Sequence, residues 1–263
     1  MLQRDGAFDR IGLVAARIAI KTRITKNGGM EIMFMKKTIL LLTGMALIAG
    51  FSTQAQIIAD WTFETSQPTT ACPYSPEIGA GSIIGSHSGT TAYTSPAGNG
   101  SSHSYSSVNW NVGDYYQIEV STLGMDHIAL SFAQTSSGTG PASFLVRYST
   151  DGINFSTATA YTVLDNGSPN AAWTSGTPVP AYVNTYNLSG LTSQASDNDA
   201  TLYLRFVDYS NATDAAGTAA VGAGGTDRMD NIIVAEIPEP SMLALFGVGG
   251  TFCLGFLPRG KKS

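Results

Sequence analysis

Acidic side chains near the two ends of the middle region have the chemistry of a cation site. Asp227 and Asp230 lie close to the start of the last predicted strand, and Glu64 lies in the first. If these strands are neighbours, the three carboxylates can supply the oxygen ligands that calcium prefers. The alternative is that Asp230 pairs with Arg228 or caps a turn. Calcium is therefore the one candidate cofactor that the sequence indicates.

Local catalytic motifs are absent from the sequence. His87, His103 and His127 stand in separate contexts, and no metal-hydrolase, nucleophile-elbow or paired-cysteine motif occurs. A glycosidase needs two carboxylates facing one cleft, whereas Glu119 has no carboxylate two residues away on its face of the strand. Triads converge in space rather than in sequence, so only local motifs are excluded. The sequence predicts a protein that is not an enzyme.

Aromatic side chains offer a second kind of site, because exposed rings can stack on sugars. Trp61 lies in a predicted strand whose buried face needs filling, and Trp110 is followed closely by Tyr115 and Tyr116. Trp173 lies in a polar loop. We therefore expect Trp61 in the core and Trp173 exposed, as the candidate ligand-binding residue.

Short strands must position these residues. Runs rich in β-branched and aromatic residues alternate with Gly, Ser, Thr, Asn and Asp, and no long helical stripe occurs. The predicted strands span residues 57–64, 82–85, 105–111, 115–122, 127–134, 143–149, 159–163, 184–189, 200–207 and 231–236. Long polar loops are expected at 86–104, 165–180 and 210–226.

The strand pattern predicts an all-β fold. In several runs apolar residues fall on alternate positions, as in Ile128, Leu130 and Phe132. Asp151-Gly152 between two such runs predicts a hairpin with a type I′ turn. Ten short strands with regular turn signals indicate a two-sheet antiparallel sandwich, similar to a jelly roll, over residues 56–236.

Charge is segregated along the chain. Of 14 Lys and Arg residues, eight lie in residues 1–37 and three in the tail, which leaves Arg147, Arg205 and Arg228 in the middle. Sixteen acidic residues lie between Asp60 and Glu239, so the middle has a formal charge near -13. This charge argues against nucleic acid and favours cations or neutral polymers as partners. The alternative is that the acids only maintain solubility.

Two cysteines occur, Cys72 in the middle region and Cys253 in the apolar tail. We expect them to lie in different environments and not to pair. The length of 263 residues fits one domain with processed ends.

The head of the chain has the three parts of a secretory signal peptide at residues 35–55. Lys36 and Lys37 precede the apolar run 38–51, and small residues follow it up to Ala55. We expect export through the Sec machinery, with cleavage after Ala55. Residues 1–34 are interpreted as an upstream extension that is not part of the protein, with translation beginning at Met33 or Met35.

The tail combines a short motif, an apolar run and a basic end. Pro238, Glu239 and Pro240 precede the run 242–257, and the basic residues that follow are Arg259, Lys261 and Lys262. Sixteen residues at about 1.5 Å each give roughly 24 Å of helix, somewhat less than a hydrocarbon core of about 30 Å. A transmembrane helix is predicted there, with the chain end in the cytoplasm and the middle region outside.

This tail, residues 237–263, resembles the PEP-CTERM sorting signal of Gram-negative bacteria. The resemblance implies recognition by an exosortase in the inner membrane, cleavage near the motif, and transfer to the cell surface or extracellular matrix. The middle region is similar to jelly-roll domains of the carbohydrate-binding-module kind, through Ala59-Asp60-Trp61-Thr62-Phe63-Glu64 and the 228–232 run. The predicted function is a non-catalytic exported surface protein; the alternative is a module that binds extracellular polysaccharide.

Overall fold

Residues 55–237 fold into two antiparallel β-sheets, and they are the part of the chain that the computed structural model describes. In chain order the strands are β1 (Gln56–Trp61), β2 (Ile78–Gly79), β3 (Ser82–Ser86), β4 (Tyr93–Thr94), β5 (Tyr105–Val108), β6 (Tyr115–Val120), β7 (Ile128–Ser136), β8 (Pro141–Ser149), β9 (Ser156–Thr162), β10 (Val183–Asn187), β11 (Leu202–Asp214) and β12 (Thr226–Glu236). A 3-10 helix (Pro180–Tyr182) and one short α-helix, α1 (Leu188–Leu191), lie between strands.

Seven strands form sheet A and five form sheet B. Sheet A has the order β10-β7-β12-β1-β2, and β5 pairs with the first part of β12 and carries β4. Sheet B has the order β3-β6-β11-β8-β9. The predicted all-β, two-sheet antiparallel architecture is confirmed. The first and last strands are neighbours, since Trp61 pairs with Ile232.

The core lies between the two sheets and is filled by alternate residues of their strands. The core includes the apolar residues that strand alternation predicted to share a buried face, namely Tyr116, Ile118, Val120, Ile128, Leu130, Phe132, Phe144, Val146, Leu202, Leu204 and Phe206. Burying one large apolar side chain of this kind contributes about 1.5–3 kcal/mol. Trp61 is fully buried among them, as expected.

Several strand ends differ from the prediction by up to three residues, and two differ by more. The last strand begins at Thr226 rather than at residue 231, because a bulge interrupts its alternation. The register against β7 shifts between Asp230 and Ile233, and Asn231 has a φ of 49°. Strand β11 continues to Asp214, past the predicted end at residue 207. The predicted loop at 210–226 is correspondingly shorter.

The hairpin predicted around Asp151-Gly152 is present, but the turn type is wrong. Residues 150–155 connect β8 to β9, and only Gly152 of the pair has a positive φ, at 71°. The Asp151 side chain organises this loop: its Oδ1 accepts hydrogen bonds from the backbone N–H groups of Ile153 and Asn154, at 2.8 and 2.7 Å. A longer loop closed by a side chain therefore replaces the two-residue turn.

Residues 1–54 and 238–263 lie outside the described part of the chain. They hold the predicted extension, the predicted signal helix, the predicted transmembrane helix 242–257, and the sorting and basic residues Pro238, Glu239, Pro240, Arg259, Lys261 and Lys262. Between residues 55 and 237 no helix is long and apolar enough to cross a membrane.

Candidate functional site

The outer face of sheet B carries partly exposed aromatic and cationic side chains. Strand alternation places them there: Leu204 and Phe206 face the core, so Tyr203 and Arg205 face outward. Strand pairing puts Gln117 of β6 opposite Arg205, and Arg205 opposite Arg147 of β8. We define the sheet B face by its half-buried residues Tyr115, Gln117, Arg147, Phe155, Tyr203 and Arg205.

Arg205 lies at the centre of this face between two aromatic rings. The guanidinium carbon is 4.1 Å from the ring centre of Tyr115 and 3.6 Å from that of Phe155. Its Nε donates a hydrogen bond of 2.7 Å to Oε1 of Gln117. Burial lowers the pKa of Arg205, and the charge of Arg147 lowers it further. The side chain is thus held in one orientation while still partly exposed.

Arg147 lies directly beside Arg205 on the neighbouring strand. Its Nη2 donates to the backbone oxygen of Phe155, and its Nε has no hydrogen-bond partner within residues 55–237. Across the same residues, neither arginine has a carboxylate within 4.0 Å. Two adjacent positive charges therefore stand without a neutralising partner.

The β8–β9 loop completes the face. Asn154 donates to Asp151 Oδ2 at 2.7 Å, and this bond, with the backbone bonds to Asp151, holds the pKa of that carboxyl well below its usual range. A Cβ added to Gly152 would lie 3.2 Å from the ring of Tyr203, so the loop tip packs closely over that ring. The same loop presents Phe155. Its fixed conformation therefore positions part of the face.

One carboxylate shares the face. Glu119 of β6 pairs with Tyr203 of β11, and it is exposed as expected. The paired residues across the sheet form a row, and this row lies next to the row that contains Arg205. No second carboxylate comes from the paired positions of β3 or β8 in the row of Glu119, which are Ser82 and Ser149.

The three carboxylates predicted to bind calcium do not come together. Side chains three residues apart in a strand face opposite sides of the sheet, so Asp230 lies on the outer side of sheet A, whereas Asp227 faces the space between the sheets. Asp227 accepts hydrogen bonds from Gln134 Nε2 at 3.0 Å and Ser136 Oγ at 3.0 Å. Among residues 55–237, no group of three or more His, Cys, Asp or Glu side chains could hold a metal ion. The predicted set of Glu64, Asp227 and Asp230 is wrong as a set.

Glu64 and Asp230 do bind the same loop. Asp230 Oδ2 accepts from the backbone N–H of Asn99 at 2.8 Å and from Ser101 Oγ at 2.6 Å, while Glu64 Oε1 accepts from the backbone N–H of His103 at 2.8 Å. Asp230 Oδ1 is buried and has no hydrogen-bond partner in the described chain. Burial raises the pKa of Asp230 to about 7, and the charge of Glu64 adds to this rise.

Trp173 is buried, so the prediction that it is exposed is wrong. Only 4% of its surface is accessible, and its ring stacks on Tyr182 with centres 5.9 Å apart. The polar loop folds back on sheet A, where these two rings and Ala133 form a small second apolar cluster. The Tyr182 hydroxyl fixes the loop by donating to the backbone oxygen of Ala171 at 2.6 Å. Trp173 is therefore not available to stack on a sugar.

His87 belongs to a buried polar chain that the sequence did not reveal. Ser107 Oγ lies 3.0 Å from its Nε2, and Asp114 Oδ2 lies 3.1 Å from its Nδ1, at ion-pair distance but outside hydrogen-bond alignment. In space, the serine lies next to the histidine and the histidine next to the aspartate, an arrangement that resembles the catalytic triad of a serine hydrolase. However, Ser107 is 1% exposed and its Oγ also bonds the Tyr116 hydroxyl at 2.7 Å. A substrate cannot reach this serine, and burial lowers the pKa of His87 despite the nearby Asp114.

No protein-family model matches the chain, and no characterised protein matches its sequence. Some solved structures are similar to parts of the chain. The K2 cleaved adhesin domain of Lys-gingipain is 15% identical with a TM-score of 0.40, over 66% of this chain and 97% of that one. The CBM22-1–GH10 modules of Clostridium thermocellum xylanase 10B, complexed with xylohexaose, are 12% identical with a TM-score of 0.38, over 71% and 29%. The N-terminal cellulose-binding domain of Cellulomonas fimi β-1,4-glucanase C is 12% identical with a TM-score of 0.25, over 59% and 84%.

Proposed function

We propose that residues 56–236 form a non-catalytic domain that binds extracellular polysaccharide on the sheet B face. The observation that carries this proposal is the layered arrangement of Tyr115, Arg205 and Phe155 on that partly exposed surface. Rings offer apolar surface to the faces of sugars, and guanidinium and amide groups offer hydrogen bonds to their hydroxyls. A partly exposed row of both kinds suits an extended polar polymer.

Rigidity of the face supports binding. Arg205 is fixed by two rings and by Gln117, and Phe155 is fixed by a loop that Asp151 closes. Groups already held in position lose little conformational entropy when a ligand arrives. The face is therefore preorganised rather than assembled by the ligand.

The non-catalytic part of the proposal follows from the carboxylates. Glycoside hydrolysis generally uses two carboxyl groups on opposite sides of the scissile bond. Glu119 shares its row of sheet B with Ser82, Tyr203 and Ser149, and the carboxyl of the nearby Asp151 is occupied by hydrogen bonds from Ser149, Asn154 and its own loop. The chain of His87, Asp114 and Ser107 is buried and inaccessible to a polymer.

A calcium ion at Glu64 and Asp230 forms a separate part of the proposal. Its support is the unbonded, buried Oδ1 of Asp230 together with the loop that both carboxylates share. A cation there would neutralise two nearby negative charges, and its role would be structural because the site lies on sheet A.

Export and sorting to the cell surface complete the proposed function, on the support of the sequence alone. The signal-like head, the Pro238-Glu239-Pro240 motif and the basic end agree on one topology. Cell fractionation with mass spectrometry of the mature C-terminus tests processing. An intact Lys262-Ser263 end in the surface pool contradicts it.

Binding is tested with the purified protein on a glycan array, followed by affinity electrophoresis in gels that contain the best polysaccharides. Tyr203→Ala should reduce retardation in the gel several-fold. Tyr186→Ala is the control on sheet A, and because Tyr186 packs against Phe132 and Tyr161, a thermal melt must show that this variant is folded. Equal retardation of the two variants and the wild type contradicts a site on sheet B.

A further inference from the structure

We infer that the sheet B face binds acidic polysaccharide, with Arg147 and Arg205 recognising uronate carboxylates. This inference rests on the proposed function and names its ligand class. The sequence alone favoured cations or neutral polymers, because the domain as a whole is strongly acidic. The structure instead places two positive charges side by side at the proposed site.

The distribution of charge carries the first step. Between Asp60 and Glu239 the chain has sixteen acidic residues and three arginines, and two of these arginines are directly paired on one outer face. Arg228, the third, belongs to sheet A. Adjacent like charges destabilise a sheet unless something neutralises them. An anionic ligand supplies the missing partner.

Within residues 55–237, Arg147 and Arg205 have N–H donors without an acceptor, and this supports an anionic ligand. A guanidinium has five N–H donors. Within the described part of the chain, Arg205 has one acceptor, on Gln117, and Arg147 has one, on the Phe155 backbone. Arg147 Nε is buried, but within the same residues the Nη groups of Arg205 remain free of such bonds and can bind a carboxylate in the two-pronged geometry for which guanidinium is suited.

The aromatic rings around Arg205 carry the third step. They hold the plane of the guanidinium while leaving it partly exposed, and a weakly hydrated cation in a fixed orientation binds a planar carboxylate well. The same rings and that of Tyr203 can contact the sugars on which the carboxylates stand. The face thus matches a charged group and an apolar ring face in one ligand.

Other charged groups near the face limit the range of anions. Glu119 lies one row from Arg205, and Asp151 lies in the adjacent loop, where its Oδ1 accepts a hydrogen bond from Ser149 Oγ. Both carboxylates are exposed, and Asp151 stays ionised because Asn154 and the backbone of its loop donate to it, so both repel dense negative charge. Nucleic acid, with its closely spaced phosphates, is disfavoured by this repulsion and by the acidic domain. A polymer with one carboxylate per sugar fits better.

Isothermal titration calorimetry with two probes tests the inference. The first probe is an oligogalacturonate, and the second is the same oligosaccharide with its carboxyl groups reduced to alcohols. We expect the wild-type full chain to bind the acidic probe at least tenfold more tightly. Arg147→Gln and Arg205→Gln should each remove most of that preference. Arg205→Lys should keep more of the preference than Arg205→Gln but less than the wild type, because lysine retains the charge and loses the planar guanidinium.

Arg228→Gln is the matched control, since it removes one positive charge from sheet A and should keep the preference. Circular dichroism melts check that every variant is folded, and the reduced probe serves as the control if Arg228→Gln is not. Equal binding of the two probes by the wild type overturns the inference but leaves the proposed function standing. Binding of neither probe, or tighter binding of single-stranded DNA than of the acidic probe, overturns the inference. Loss of all glycan-array binding overturns the proposed function as well.

Discussion

The guanidinium carbon of Arg205 lies 3.6 Å from the ring centre of Phe155. Arg205 belongs to the long central strand β11, and Phe155 belongs to the loop between β8 and β9. The sheet B face thus combines a residue that the sheet holds in place with one that a loop holds in place. The conformation of that loop depends on hydrogen bonds to the Asp151 carboxylate. This contact links the hairpin to the proposed binding face.

Phe155→Ala should weaken polysaccharide binding several-fold while changing the free energy of unfolding by only about 1 kcal/mol. A contact between a cation and an aromatic ring at a partly exposed site is worth roughly 0.5–1 kcal/mol to the fold. Titration calorimetry and urea denaturation measure the two effects. A matched change at Ile153, which is exposed in the same loop, should leave binding intact. Equal losses in both variants would show that the loop as a whole, and not the ring, is responsible.

Trp173→Ala should destabilise the protein by about 3 kcal/mol and leave polysaccharide binding unchanged. The ring is buried against Tyr182 and Ala133 on sheet A, so its removal leaves a cavity far from the sheet B face. Urea denaturation gives the stability change, and affinity electrophoresis below the melting temperature gives the binding. Loss of binding by a variant that is still folded would return Trp173 to the role that the sequence suggested.

The sequence predicted the strands and their buried faces because alternation is a local signal. Leu204 and Phe206 face the core as expected, and Arg205 must then face outward. The sequence did not show that Arg205 and Arg147 are neighbours, because strand order depends on contacts between distant segments. The only sequence signal for this pair was that Arg147 and Arg205 each occupy an outward position in a predicted strand.

The two errors at candidate sites also have long-range causes. Asp227 and Asp230 are close in the chain and were predicted to form one cluster ahead of the last strand, but β12 already begins at Thr226, and residues three apart in a strand face opposite sides of the sheet. Trp173 was predicted to be exposed because its neighbours in the chain are polar, yet its loop folds back and buries it. Neither the early start of β12 nor the conformation of this loop has a distinctive composition.

Calcium should raise the melting temperature of the protein if Glu64 and Asp230 hold the ion. The comparison is a thermal melt at neutral pH with excess calcium and with EGTA, for the wild type and for Asp230→Asn. We expect a rise of several degrees in the wild type and little change in the variant, because the amide removes one negative ligand. Identical wild-type melts in calcium and EGTA would contradict the site.

Stability of the metal-free protein should fall as the pH rises from about 4 to about 8. Burial raises the pKa of Asp208 to about 6, that of Asp230 to about 7 and that of Asp227 to about 8, from an ordinary value of 3.8. A group with a raised folded-state pKa favours the fold below its unfolded pKa, and the advantage is lost as the pH rises through the folded value. A tenfold change in the acidity of one carboxyl on folding alters the free energy of unfolding by about 1.4 kcal/mol at most.

His87 acts in the opposite direction. Its pKa is lowered in the folded state by burial, so protonation of the unfolded chain destabilises the fold as the pH falls below about 6.5. The three carboxyls outweigh this one group, so the net slope from pH 4 to 8 remains downward. Urea denaturation in EGTA across this range measures the slope, and Asp227→Asn should flatten its upper part. Asp208→Asn is the second variant if Asp227→Asn does not fold. A stability that rises steadily toward pH 8 would show that these carboxyls are ionised in the folded protein and paired with cations.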